Sequence, residues 1–128
     1  MIMGAGDSLV FALPYPPSIN AYWKHRVIGR RASVYITAQG VEFRKQVKAL
    51  ISIQDQLIGL LHVSIRLTPP DKRVRDIDNP IKALLDALTH AGLWADDSQV
   101  KRLSVEMLGK GQGVALVTVM GYTGELQC

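Results

Sequence analysis

Cysteine is nearly missing from this 128-residue chain: its single copy, Cys128, is the last residue. That leaves no disulfide framework and no thiolate metal site, and a catalytic nucleophile at that position is not expected. No apolar run approaches the roughly 18 residues of a membrane span. The opening MIMGAGDSLVFALPYPPS lacks the basic segment of a secretory signal. A cytoplasmic protein without membrane contact is expected. P-loop, dinucleotide fingerprint and Ser/His/Asp set are all absent, so no nucleotide cofactor is expected either. Acidic residues are scarce in one region. From Asn20 to Lys48 the bases Lys24, Arg26, Arg30, Arg31, Arg44, Lys45 and Lys48 are opposed only by Glu42. With a net charge of +4, this asymmetry points to a polyanionic partner such as nucleic acid.

A hydrophobic share of 48%, a charged share of 20% and a mean hydropathy of +0.12 describe a chain that folds through most of its length. At this size one domain, residues 1–128, is expected. Ser8 to Leu13 reads as a strand stopped by Pro14, and Gly29-Arg30-Arg31 as the tip of a basic surface loop. Ser33 to Ile36 suggests a short strand. Thr37 caps a predicted helix reaching about Gln54, with Phe43, Val47, Leu50 and Ile51 on its apolar side and Arg44, Lys45 and Lys48 on a basic outer face. Leu61, Val63, Ile65 and Leu67 alternate with polar residues, the period of a half-buried strand. Asn79-Pro80 starts a second helix, with Asn79 as its cap, a stripe of Ile81, Leu84, Leu85 and Leu88, and Gly92 at its end. Leu103 to Met107 and Val114 to Met120 are expected to form an antiparallel hairpin around a glycine-rich turn. The order implies an α/β or α+β fold with a small mixed β-sheet and two main α-helices.

The acids gather in RVRDIDNPIKALLDALTHAGLWADDSQV, residues 73 to 100. In an extended backbone Asp76 and Asp78 project to one side, about 6 to 7 Å apart at Cα. They precede a helix N-terminus, which favours anions. A helix of some eleven residues is only about 16 Å long, so Asp96 and Asp97 return towards the same region. Adjacent residues do not both face one point; one of that pair is expected as a ligand and the other in a supporting or solvated role. Two readings fit. The acids are solvated helix-flanking residues or partners of Arg73 and Arg75, or else they hold a hard cation, Mg²⁺ or Mn²⁺. An EF-hand is excluded, because Pro80 and Ile81 stand where that loop needs an acid or amide and a glycine.

Lys82 is oddly placed, since the positive end of a helix disfavours cations. Either it pairs with Asp86 one turn on, or it reaches over the carboxylates to a scissile phosphate. Tyr22 and Trp23, beside Lys24, His25 and Arg26, suit stacking on bases. Trp94 is expected in the core, and His62 and His90 at the surface or in caps.

LPYPPSINAYWKHR and DKRVRDIDNPIKALLDALTHAGLWADDSQV together resemble the RusA family of Holliday-junction resolvases, over about Phe11 to Val100. The resemblance implies a small homodimer, a Mg²⁺-dependent endonuclease that binds four-way DNA junctions and cuts two opposed strands. It implies Asp76, Asp78 and Asp97 as catalytic metal ligands, Asp96 as a further candidate ligand, and Lys82 as the catalytic lysine. Lys24, His25, Arg26, Arg30, Arg31, Lys72, Arg73 and Arg75 are the expected DNA contacts. Val74 departs from the family, which often has a base there. The alternatives are a nuclease of other branched DNA and a junction-binding protein without cleavage.

Overall fold

A computed structural model describes residues 1–4 and 6–124; Cys128 lies outside the described residues. The elements are β1 (Ser8–Pro14), α1 (Ile19–Tyr22), β2 (Trp23–Ile28), β3 (Arg31–Ile36), α2 (Ala38–Leu50), β4 (Leu61–Thr68), α3 (Asn79–His90), β5 (Val100–Met107) and β6 (Val114–Gly121), with a 3₁₀ turn at Asp97–Gln99. The expected α+β architecture with a mixed sheet and two main helices is present. The main sheet runs β1-β6-β4-β5, while β2 and β3 pair separately.

Strand β4 is the middle of the core. Its residues Leu61, Val63, Ile65 and Leu67 have no exposure, and the intervening side chains point to the other face. Each such burial contributes about 1.5–3 kcal/mol, so a truncation such as Ile65→Ala strikes the centre of the fold. Ala83, Leu84, Ala87 and Leu88 of α3 close over that face, joined by Phe43 and Val47 of α2 and by Trp94, which is buried as expected.

The predicted hairpin of the last two strands is not formed. β4 lies between them, parallel to β5 and antiparallel to β6. The glycine-rich link therefore arches over the end of β4 instead of turning tightly. Leu108 N donates to Leu67 O and Gly111 N to Pro69 O. A Cβ on Gly111 would lie 2.0 Å from Thr68 Cγ2, so any larger residue there forces the Thr68 side chain to shift. Both β4 and β6 have two neighbours, and sequence adjacency of β5 and β6 does not reveal that β4 parts them.

Helix α2 stops at Leu50, short of the expected Gln54. Ile51 is already extended (φ −82°, ψ 105°), and Ile51 and Ile53 pack against the core from a non-helical segment. No glycine or proline marks this end. Leu50, expected on the apolar side, is 49% exposed. Arg44 also leaves the expected outer basic face: it turns inward to Asp86, at 2.8 Å. The cap of α3 is Asp78 by position. Asn79 is its first helical residue, and its Oδ1 accepts from Ile19 N at 2.8 Å, tying α1 to the start of α3.

Candidate active site

The segment between β4 and α3 is not a strand, and Asp78, with helical backbone (φ −80°, ψ −23°), already leads into α3. Asp76 and Asp78 line different depressions, against the expected common side. Asp78, Lys82 and Asp97 line a groove of about 360 Å³ between α3 and β5, floored by Ile81, Leu85, Leu103 and Val105. Asp76 lines a larger hollow of about 670 Å³ with Tyr15, Arg73 and Arg75.

The groove exists because α3 leaves part of β5 uncovered. Leu103 shares the core-facing side of its strand with Val105 and Met107, opposite Val63, Ile65 and Leu67, yet is 42% exposed. The first turn of α3 presents Lys82 at one side, and the 3₁₀ turn leading into β5 presents Asp97. Two regions distant in sequence thus meet at one surface: the start of α3 supplies Asp78 and Lys82, and the 3₁₀ turn supplies Asp97.

The acids differ sharply in their commitments. Asp96 Oδ2 accepts from Ser98 Oγ at 2.5 Å, and Asp96 N donates to Gln99 Oε1 at 3.3 Å. Gln99 in turn donates to Leu57 O and Gly59 O at 3.1 and 2.9 Å. Asp96 is therefore built into the turn that sets Asp97. Among the described residues, the carboxylates of Asp76, Asp78 and Asp97 have no hydrogen bond or ion pair, and all three residues are exposed. The reading of Asp76 and Asp78 as partners of Arg73 and Arg75 is overturned, because both arginines are engaged elsewhere.

Their partner is Asp71, which carried no role in the sequence reading. Arg75 Nη1 donates to Asp71 Oδ1 at 2.8 Å and to Arg73 O at 3.2 Å, and Arg73 N donates to the same Asp71 carboxyl at 2.9 Å. The hydrogen bonds from Arg75 and from the Arg73 backbone hold the Asp71 carboxyl far below the usual carboxylate range. Arg75 also lies over the Tyr15 ring, 5.4 Å from its centroid. It is a clamp for the 71–75 loop, whereas Arg73 (side chain 82% exposed) and Lys72 stay at the surface. The i, i+2 and i, i+4 spacing of Asp71 to Arg73 and Arg75 was the available signal.

Lys82 does not pair with Asp86. Asp86 receives Tyr22 OH and both Nε and Nη2 of Arg44, at 3.2 and 2.8 Å for the arginine. Tyr22 is fully buried and so does not stack on bases; burial, then the bond to Asp86, pushes its phenol well above the usual range. Lys82 instead lies over the Trp23 ring, with Nζ 5.9 Å from the centroid.

The basic loop becomes a hairpin. Gly29, at φ +61°, makes the turn between β2 and β3, with Arg30 and Arg31 at the exposed tip. Directly opposed residues share a face. The pairs Lys24–Tyr35, Arg26–Ser33 and Ile28–Arg31 put Lys24, Arg26 and Arg31 on one face, with Arg26 stacked 4.8 Å over Tyr35. His25 falls on the other face, opposite Val34 and alongside Trp23. His62, on the open face of the main sheet, meets Ser104 Oγ at 3.2 Å and is remote from this assembly.

Oxygen donors free of cationic partners are the right chemistry for a hard cation that keeps several waters, so Asp78 and Asp97 fit Mg²⁺ as a pair. Among the described residues, no three His, Cys, Asp or Glu side chains cluster closely enough to hold a metal ion between them. The groove offers two carboxylates, and Asp76 stands one wall away.

The family described as Endodeoxyribonuclease RusA matches residues 14–120. Among similar proteins, a crossover junction endodeoxyribonuclease RusA of Shigella sonnei (strain Ss046) is 41% identical over 115 residues, covering 85% of this chain and 92% of that protein. The protein of the same name from Enterobacteria phage 82 is 41% identical over the same shares. One from Enterobacteria phage HK97 is 39% identical over 98 residues, 74% of this chain and 78% of its own length.

Proposed function

We propose, since this chain belongs to the RusA family of endodeoxyribonucleases, that it is a divalent-metal-dependent endonuclease that resolves four-way DNA junctions. The observation that carries the reading is the groove between α3 and β5. There, two carboxylates without protein partners and one lysine face solvent together.

Asp78 and Asp97 would hold Mg²⁺, or Mn²⁺ in its place, with Asp76 contributing from the adjoining wall. When bound, such an ion lowers the pKa of a water and offsets charge on the phosphate and its leaving oxygen. Lys82 reaches the same phosphate from the first turn of α3 and stabilises the charge that develops there. The α3 N-terminus adds its dipole in the same sense. The hairpin bases Lys24, Arg26, Arg30 and Arg31, with Lys72 and Arg73, draw the backbone in. Products with 5′-phosphate and 3′-hydroxyl ends follow. Two opposed cuts need two sites, which a two-fold homodimer supplies through one isologous interface. A DNA substrate puts its work in the cytoplasm. No helix among the described residues is long and apolar enough to cross a membrane.

A junction binder without cleavage is the competing reading. Unpaired carboxylates repel phosphate, so a pure binder gains nothing from three of them beside its basic surface. Nicking of a synthetic four-way junction and of linear duplex, each with Mg²⁺ and with EDTA, tests the proposal. Paired cuts at the junction in Mg²⁺ alone are expected, and binding without cleavage would support the competitor.

A further inference from the structure

The larger hollow beside the catalytic groove has no assigned role. The stretch 76–81 separates the two: Asp76, Asn79 and Pro80 line the hollow, and Ile77, Asp78 and Ile81 line the groove. Asp76 and Asp78 are two residues apart, which limits their Cα separation to about 7 Å. Anything held in the hollow therefore sits next to whatever is held at Asp78.

The lining is that of a site for a flat, uncharged, edge-bonding group. Tyr15 contributes an aromatic ring, and Arg75 a guanidinium 5.4 Å above it. Both are fixed: Tyr15 OH donates to Met107 Sδ at 3.9 Å and its N to Gly113 O at 2.9 Å, and Arg75 is held by Asp71 at 2.8 Å. Gln39, in the first turn of α2, carries an exposed amide that among the described residues has no partner, so it has both a donor and an acceptor to give. At the lip, Val74 is 99% exposed between two arginines, an apolar side chain that nothing among the described residues covers. Arg75 is committed to Asp71, and the remaining charges of the lining, Arg73 and Asp76, are of opposite sign, so the hollow as a whole does not call for an anion. A volume of about 670 Å³ lies in the range of small-ligand sites, roughly 300–1,000 Å³.

We propose that this hollow receives one unstacked nucleobase of the strand being cut, from a nucleotide flanking the scissile phosphate. The stacked Tyr15–Arg75 pair offers it one planar surface, Gln39 hydrogen-bonds its edge, and Val74 packs on it from the lip. The inference rests on the nuclease reading. Stacking on aromatic and guanidinium planes tolerates every base, while a side-chain amide at the edge discriminates among them. Bases at a branch point are already partly unstacked, so extruding one costs less there than in continuous duplex. The site would thus add selectivity for branched DNA and for local sequence.

The test uses four-way junctions with a single abasic nucleotide moved through the positions flanking the cut. Binding is measured in EDTA and cleavage in Mg²⁺. One position is expected to lose on the order of tenfold in affinity or rate when its base is removed, since a good amide–base pair discriminates by roughly 5- to 150-fold. Gln39→Ala and, separately, Tyr15→Leu should shrink that penalty; Gln39 is exposed, so its variant keeps the fold. Equal behaviour of abasic and intact junctions at every position, or a penalty untouched by both variants, overturns the inference. A wild-type chain that cuts junctions without any abasic penalty sinks this site alone. One that shows the penalty in binding yet never cuts sinks the nuclease reading and leaves the site standing.

Discussion

Lys82 Nζ lies 5.9 Å from the centroid of the Trp23 ring, across the junction between α3 and the start of the basic hairpin. The ring gives the ammonium a resting place near a helix N-terminus, where the dipole otherwise disfavours it. Trp23 is itself braced, its ring 4.2 Å from that of buried Tyr22 at an interplanar angle of 65°. Trp23 is therefore a positioning residue for Lys82. Trp23→Leu should lower the cleavage rate several-fold, with a change in junction affinity under twofold, and Trp23→Phe should recover most of the rate. The split between single-turnover rate and Kd is the readout, since general loss of structure would lower both.

Asp96 and Asp97 should separate cleanly. Asp97→Asn removes a free carboxylate from the groove and should abolish cleavage while junction binding stays intact or strengthens. Asp96→Asn weakens the contact with Ser98 and should cost about 0.5–1 kcal/mol of stability with cleavage largely retained. Thermal melts beside junction assays distinguish the two; equal loss of cleavage in both variants would make Asp96 a second ligand.

The Tyr22–Asp86–Arg44 cluster joins α1, α2 and α3 under the site. Tyr22→Phe should destabilise the protein by about 1–2 kcal/mol, the upper values for charged hydrogen bonds being discounted because Arg44 and Asp86 side chains are 22% and 34% exposed. The pH dependence has a definite sign. Folding raises the Tyr22 pKa, so its contribution is complete below the ordinary tyrosine pKa and is lost as pH rises through the higher folded value. Wild-type melting temperature should fall more steeply above about pH 10 than that of Tyr22→Phe. Parallel curves would show that the phenol does not resist ionisation in the fold.

The hairpin tip should act through phosphates. The double variant Arg30→Ala, Arg31→Ala should flatten the plot of log affinity against log salt by about 0.9 per lost contact. His25→Ala, on the opposite face from Lys24 and Arg26, should change that slope less. Titrations at several salt concentrations check both, and an unchanged slope in the double variant would remove the tip from the DNA surface.

The sequence by itself determined the elements whose pattern is local. Strand β4 was legible because alternation of Leu61, Val63, Ile65 and Leu67 reflects burial on one face. Helix α3 was legible because Asn79-Pro80 and a leucine stripe announce it. The candidate site residues were named from the stretch between Asp76 and Asp97, and the fold brings three of them, Asp78, Lys82 and Asp97, to one groove. What only the tertiary structure decided were the relations between distant segments. Insertion of β4 between β5 and β6 depends on which strand buries both neighbours, and no local period records that. Asp76 and Asp78 came to line different depressions because the stretch between β4 and α3 is not a regular strand, so sequence spacing alone does not fix which way its side chains face. Arg44, Asp71 and Trp23 took their partners the same way: charges and rings are exchangeable in a sequence, and packing alone selects which of them meet.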